Sequence, residues 1–283
     1  MKPIIIIAAC ALMASAAACT EYIDLDLGST SARFVVDGHI TDVPGSHNCV
    51  ILSLSSDYFA NRKSQPVSGA TVSVSCGGTA TPLAESPAQP GCYVAPEGFG
   101  AVPEHDYVLT VLADPFGTGT PQAYTATAHM PRTSVIDSAT CILNGLMDIY
   151  QVGLYAPENR ATKDFYAFGV SLRDSLLSDS YTELEITDDE QFGSDYCHGA
   201  TVYMIDPDDI DSGLAAGDRL RLHGLSISEE FYEYLQAVGD ITNGGNPMFS
   251  SAPANAEGNI SGGALGFFAA FSVRSVDCVV RDR

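Results

Sequence analysis

One stretch decides the fold: Tyr107-Val108-Leu109-Thr110-Val111-Leu112. Such a run of aromatic and β-branched residues is typical of a β-strand, and a period of two places Tyr107, Leu109 and Val111 on one face. A tyrosine that opens such a strand is typical of the corner tyrosine of immunoglobulin-like sandwiches. The stretch therefore predicts a two-sheet β-sandwich around itself.

Further short runs of strand type flank this stretch and are separated by turn residues such as Val43-Pro44-Gly45-Ser46. They cover residues 33–40, 49–55, 67–74, 91–94 and 124–128. About seven runs in about a hundred residues is the density of an immunoglobulin-like domain. We expect this domain to span residues 34–131, because Pro131 removes a ladder donor and ends the last run.

A second β-rich domain is predicted for residues 132–283, with one amphipathic helix near 228–238. Its strand-type runs cover residues 135–143, 149–155, 165–172, 181–186, 201–205 and 219–225. In the helix the apolar residues recur at three- and four-residue spacing, Ser226 with Glu229 or Ser228 alone can cap the start, and Gly239 can end it. The closing run 264–273 is apolar on both faces, which predicts a central strand. The fold class is therefore mainly β.

The N-terminus has the pattern of a secretory signal. Lys2 precedes the apolar run 4–13, small residues follow, and Cys19 ends the stretch. The run is too short to span a bilayer permanently. A cysteine in this place resembles a bacterial lipoprotein signal, which predicts cleavage after residue 18 and acylation of Cys19; the alternative is a plain signal peptide that is cut nearby. Residues 19–33 are then a lipidated tether or an edge strand.

The chain is strongly acidic. Of 283 residues, 13 are Lys or Arg and 35 are Asp or Glu, and loss of Lys2 with the signal leaves a net charge of −23. Such a chain is repelled by phosphate backbones and anionic lipid head groups. We therefore exclude nucleic acid as a partner and expect the membrane to be reached through the lipid anchor.

Six cysteines remain after Cys10 leaves and Cys19 is acylated. In an exported chain they are disulfide partners or buried thiols, and spacing alone leaves fifteen connectivities open. Cys76 and Cys92 flank a turn region and form the disulfide candidate. No pair has the spacing of a zinc site, so no metal site is predicted.

The sequence contains no standard hydrolase or phosphate-binding motif, so we expect a protein without catalytic residues and without a cofactor. Four carboxylates, those of Asp206, Asp208, Asp209 and Asp211, could ligate Ca²⁺ from one loop, but the loop lacks the glycine turn and closing Glu of an EF-hand. A solvated acidic turn is the other interpretation. The six histidines are dispersed, and the lack of Trp argues against a sugar-binding surface.

The chain resembles the domain-of-unknown-function 4249 family, lipoproteins of Bacteroidetes-type bacteria. The matching pieces, in order, are residues 34–38, 66–72, 91–93 and 106–109, and above all Asn259-Ile260-Ser261-Gly262-Gly263-Ala264-Leu265-Gly266-Phe267-Phe268. The resemblance implies an outer-membrane lipoprotein, often encoded beside TonB-dependent transporters, with no established activity or binding residues.

These observations predict a non-enzymatic binding or accessory lipoprotein of the outer membrane that faces the cell surface or the periplasm and works with a TonB-dependent transporter. Its ligand is unknown. The alternative is a structural subunit of a surface fibre, in which Arg33 is the cleavage point and 264–273 the donor strand, although residues 274–283 follow that strand. A surface hydrolase is the third hypothesis.

Overall fold

The computed structural model describes residues 32–45, 48–55, 64–173, 175–178, 183–210, 213–242 and 256–282. The signal peptide (1–18), Cys19 and most of the tether (19–33) lie outside these residues. The described chain is mainly β with a single α-helix, which confirms the predicted fold class.

Eight strands form an N-terminal immunoglobulin-like β-sandwich. They are β1 (Phe34–Thr41), β2 (Cys49–Leu54), β3 (Gln65–Pro66), β4 (Thr71–Cys76), β5 (Thr79–Glu85), β6 (Cys92–Val94), β7 (His105–Ala113) and β8 (Gln122–Met130). One sheet has the order β1-β2-β6 and the other the order β5-β4-β7-β8, while the end of β5 also pairs with β6. The two sheets enclose one hydrophobic core.

Strand β7 shows why these residues form a sandwich. Tyr107, Leu109 and Val111 are buried and alternate with outward-facing residues, as a half-buried strand requires. The Tyr107 hydroxyl accepts a hydrogen bond from the Val102 backbone N–H (2.6 Å) and donates one to the Val102 carbonyl (3.2 Å). This contact to a residue just upstream is a tyrosine corner, so the predicted role of Tyr107 is confirmed.

The C-terminal half contains the remaining strands: β9 (Ser138–Asn144), β10 (Ile149–Pro157), β11 (Phe165–Leu172), β12 (Ser175–Leu176), β13 (Glu185–Asp188), β14 (Tyr196–Ile205), β15 (Arg219–Ile227) and β16 (Phe268–Arg281). One group pairs in the order β14-β10-β9, and the other in the order β11-β15-β16 with β12 and β13 beside β11. A second hydrophobic core lies between these groups.

Strand β16 belongs to both halves. Its start runs parallel to β1 (Gly38 opposite Phe268), and it then pairs antiparallel with β15 (Ser226 opposite Ser272). The predicted central strand is confirmed from Phe268 onward, but its predicted start at residue 264 and end at residue 273 are wrong. Asp277 and Val279 face solvent while Cys278 and Val280 are buried, so the strand continues as a half-buried one to Arg281. The domain boundary near Pro131 stays a prediction.

Helix α1 (Glu229–Thr242) lies close to its predicted position. Ser228 caps it, because its Oγ accepts a hydrogen bond from the Phe231 backbone N–H (3.3 Å). The predicted stop at Gly239 is wrong, since the helix continues for three more residues. Phe231 packs against Phe267 and Phe271 of the β16 region, so the apolar face of the helix belongs to a hydrophobic core.

Candidate functional site

A cleft of about 300 Å³ lies where the linker after β8 meets the C-terminal half. Three segments that are far apart in sequence form its walls: residues 129–134 from the end of β8 into the linker, 163–166 at the start of β11, and 226–230, where β15 ends and helix α1 begins. Ligand sites are commonly concave and lined by a few convergent polar groups. The cleft is therefore the candidate site of this protein.

Opposite charges face each other across the cleft. Arg132 forms a hydrogen-bonded ion pair with Asp164, which also accepts a hydrogen bond from the Thr162 hydroxyl (3.0 Å). Lys163 lies 3.7 Å from Glu229 and 4.9 Å from the centre of the Phe165 ring. Because the Lys163 and Glu229 side chains are both more than half exposed, that pair is weak and both groups can serve a ligand.

A line of polar groups continues inward from the cleft. The Ser226 hydroxyl donates to the Ser134 hydroxyl (2.9 Å) and accepts from the Ser134 backbone N–H (3.1 Å). Deeper in, the Tyr166 hydroxyl lies 3.0 and 3.1 Å from the two carboxylate oxygens of Glu158. Burial raises the pKa of Glu158, and it raises the pKa of Tyr166 as well, so a proton is held more tightly on this pair than in water.

Two polar atoms in the linker have no hydrogen-bond partner among the described residues. They are the Arg132 Nε and the Thr133 Oγ1, and both are buried. An unsatisfied buried polar atom costs roughly 1–3 kcal/mol. The linker thus holds a donor and a hydroxyl that a bound polar group could satisfy.

A second polar cluster lies on the sheet of the C-terminal half, and sequence reasoning missed it. The His223 ring lies between Ser171 (Nε2 to Oγ, 2.6 Å) and Ser275 (Nδ1 to Oγ, 2.8 Å), on three neighbouring strands. Burial, and then Arg221, lowers the pKa of His223, so the ring is neutral at pH 7. The pairing of β11, β15 and β16 could not be read from spacing, so no sequence signal joins these three residues.

This cluster contains a serine and a base, so its suitability for acyl transfer depends on the groups around Ser171. Ser171 is paired on both sides, with Arg221 of β15 and Leu176 of β12, so its stretch of backbone is engaged in the sheet. Acyl transfer needs backbone or side-chain donors aimed at the developing negative charge. We therefore interpret the cluster as a satisfied polar row of the sheet.

The acidic loop does not gather into a metal centre in the described chain. Asp206 caps a short 3₁₀ helix (Pro207–Asp209), since its Oδ1 accepts a hydrogen bond from the Asp208 backbone N–H (2.9 Å). Asp211 lies outside the described residues. Within the described ranges no group of three or more His, Cys, Asp or Glu residues is placed to hold an ion.

The six cysteines from Cys49 to Cys278 are thiols in the structure. Cys76 ends β4 and Cys92 begins β6, so the predicted pair lies on strands that are not neighbours. The Cys76–Cys92 disulfide stays a prediction, as does acylation of Cys19. No helix in the described part of the chain is long and apolar enough to cross a membrane.

Residues 259–268, which carry most of the resemblance described above, have a structural role. The Asn259 side chain bonds both the N–H and the carbonyl of Phe268 (2.8 Å each). Ser261 binds the free edge of β8, where its N–H donates to the Thr125 carbonyl (2.8 Å) and its Oγ accepts from the Thr125 N–H (2.7 Å). The segment thus covers a sheet edge that could otherwise pair with another chain.

The model of the family described as "Domain of unknown function (DUF4249)" matches residues 20–277. The chain belongs to this family. No curated protein matches the DUF4249 chain.

Two solved structures from chicken resemble the DUF4249 chain weakly. A two-domain fibronectin type III segment of tenascin is 13% identical, covers 69% of this chain and 90% of its own, and has a TM-score of 0.19. Domains FN1 to FN3 of CNTN1 are 9% identical, cover 88% of this chain and 65% of their own, and have a TM-score of 0.22.

Proposed function

We propose that this protein is a lipid-anchored, non-enzymatic binding or accessory protein of the outer membrane, which works with a TonB-dependent transporter. The observation that carries the proposal is the cleft, where the linker, β11 and helix α1 bring both charge signs together, and the linker itself also holds two buried, unsatisfied polar atoms. The proposed role is binding rather than catalysis: the Ser226 hydroxyl in the cleft donates to the Ser134 hydroxyl, and Ser228 caps helix α1.

The cleft suits a partner segment that carries both charges. Lys163 offers an exposed ammonium group in a chain with a large excess of carboxylates, and Glu229 and Glu230 offer carboxylates beside it. A flexible lysine on the rim contributes to specificity and to the rate of association more than to raw affinity. The ligand class is thus a polar, mixed-charge protein or peptide segment.

Co-purification tests this proposal. Full-length protein captured from outer membranes in mild detergent should retain a β-barrel transporter. Lys163→Glu should reduce the retained amount at least about tenfold, which corresponds to roughly 1.4 kcal/mol. Arg281→Glu makes the same charge change at an exposed site at the end of β16 and should retain the partner. Equal retention by both variants, or no barrel with the wild type, would remove the main support for the proposal.

The fibre alternative has less support. Its donor strand, residues 264–273, overlaps β16, which is hydrogen-bonded to β1 on one side and to β15 on the other within the same chain. Ladders that survive mild heating in detergent would favour a fibre, whereas a single monomer band supports the accessory role. The hydrolase alternative is tested with ester, glycoside and peptide substrates, and reproducible turnover would restore it.

A further inference from the structure

Four of the six cysteines form two pairs on neighbouring strands. Cys49 of β2 lies opposite Val94 of β6, and Cys92 lies opposite Ile51. The two thiols therefore share one face of the sheet and are one diagonal step apart. The Ala95 N–H donates to the Asn48 carbonyl, and the Leu52 N–H donates to the Gly91 carbonyl. These flanking bonds show that the cross-strand pairs containing Cys49 and Cys92 are narrow, non-hydrogen-bonded ones.

The second pair lies in the C-terminal core. Cys141 of β9 is opposite Val280 of β16 in a parallel pairing, and Cys278 lies two residues before Val280 on the same face. Both thiols are buried, with exposures of 0% and 6%. Burial, and then the Cys278 thiol beside it, raises the pKa of Cys141 to about 12, so the two groups are within electrostatic reach of each other.

The remaining two cysteines have other neighbours. Cys197 donates its thiol hydrogen to the Leu154 carbonyl (3.2 Å), and Cys76 lies opposite Thr79 and Tyr107. They pack against different hydrophobic cores. Among the described strands, neither lies on one that pairs with another cysteine-bearing strand.

We propose that Cys49–Cys92 and Cys141–Cys278 are disulfides in the mature protein. This inference depends on the export that the proposed function assumes, because an oxidising compartment is required. For each pair two S–H bonds break and one S–S bond forms. The two electrons and two protons pass to the disulfide of a thiol–disulfide exchange oxidant, which leaves as a dithiol.

The raised pKa of a buried thiol in the folded protein explains why these disulfides would be structural. Burial raises the pKa of Cys49 to about 12, and the neighbouring Cys92 adds to the shift, so Cys49 is not a reactive thiolate in the folded protein. Oxidation then occurs while the strands pair, before the thiols are enclosed. The competing possibilities are buried free thiols, which behave as small apolar groups, and the Cys76–Cys92 bridge.

Disulfide mapping of the full chain tests the inference. The protein is purified in detergent under reducing conditions, unfolded, refolded in a glutathione redox buffer, alkylated and mapped by mass spectrometry. We expect linked peptides for Cys49–Cys92 and Cys141–Cys278, with Cys76 and Cys197 alkylated. A Cys76–Cys92 link, or alkylation of all six thiols, would overturn the pairing whatever the location of the protein.

Matched variants and a second source of protein complete the test. Cys49→Ser should leave Cys92 alkylated and the other link intact, whereas Cys76→Ser should change neither link. The same map is then made on protein isolated from cell envelopes. If the links form in the glutathione buffer but the envelope protein is fully reduced, the claim for the mature protein fails together with export, while the strand geometry stands.

Discussion

Single glycines in the segment 258–266 fix the approach of distant strands. Gly266 has a φ of +98°, and a Cβ placed on it would lie 2.1 Å from the Val36 carbonyl oxygen of β1. Gly258 is equally constrained, since its Cβ would lie 1.8 Å from the Gly266 carbonyl oxygen. The sequence shows glycines there, but the contact with Val36 could not be predicted because it joins residues that are about 230 positions apart.

Gly266→Ala should therefore lower the free energy of unfolding by about 3–5 kcal/mol, from backbone strain together with the clash. Gly263→Ala is the matched control: its φ of +76° is also left-handed, but nothing lies within 4 Å of the added Cβ. That variant should lose only about 1 kcal/mol. Urea unfolding measures both, and equal losses would mean that the close approach to Val36 does not exist.

Tyr107→Phe should destabilise the N-terminal sandwich by about 1–2 kcal/mol, because the Val102 backbone groups lose their hydroxyl partner. Tyr196→Phe provides the comparison, since the Tyr196 hydroxyl bonds the exposed Asp137 (2.9 Å) and water can replace it. In a urea titration, Tyr196→Phe should lose clearly less unfolding free energy than Tyr107→Phe. A neutral Tyr107→Phe would refute the tyrosine corner.

Glu85 joins two turns through its two carboxylate oxygens. One accepts from the Gly69 N–H (3.0 Å) and the other from the Gly91 N–H (2.9 Å), and these bonds lower the pKa of Glu85 to about 2 from an ordinary 4.5. A lowered folded-state pKa gives stability that is present above about pH 4.5 and is lost as the pH falls toward 2.

Glu85→Gln should be less stable than the wild type at pH 7, because an amide offers only one acceptor oxygen. The difference should shrink between pH 4.5 and 2, where the wild-type carboxylate is protonated. Thermal melts of both proteins across that range measure it. A difference that stays constant with pH would contradict the role of the charged carboxylate.

At the scale of elements, strands with clean periodicity were predictable and irregular ones were not. Strand β11 has its predicted bounds, because eight consecutive buried residues leave no ambiguity. Strand β5 was missed because Pro82 and several small residues leave no clear alternation of apolar residues. It nevertheless pairs with β4 through Leu83 and Thr81. The second half of β16 was missed because Arg274 and Asp277 on its exposed face suggested a tail.

The end of helix α1 provides a direct test. Gly239 lies inside the helix, and nothing is within 4 Å of a Cβ placed there. Gly239→Ala should therefore raise the free energy of unfolding by about 1 kcal/mol, and Ala237→Gly should lower it by a similar amount. Destabilisation by Gly239→Ala would instead support the helix end that the sequence predicts.

At the scale of the whole molecule, the cleft could not be predicted at all. Its walls come from residues 129–134, 163–166 and 226–230, and no spacing in the sequence indicates that they meet. The pieces that carry the family signature build strands and turns, as Gly69 and Gly91 show through Glu85. The matching pieces thus have structural roles, and the proposed function rests on the cleft.

The proposed location depends on one residue, Cys19. Two acyl chains anchor a protein stably to a membrane, at about 0.8 kcal/mol per buried methylene group. The acidic body adds no attraction to anionic lipids, so the anchor alone would determine membrane association.

Metabolic labelling with a palmitate analogue, followed by membrane fractionation, tests this most directly. We expect wild-type protein to be labelled and to pellet with the outer membrane, and Cys19→Ser to be unlabelled and either uncut or soluble in the periplasm. A Cys19→Ser variant that still labels and still pellets with the outer membrane would contradict the lipid anchor and the function built on it.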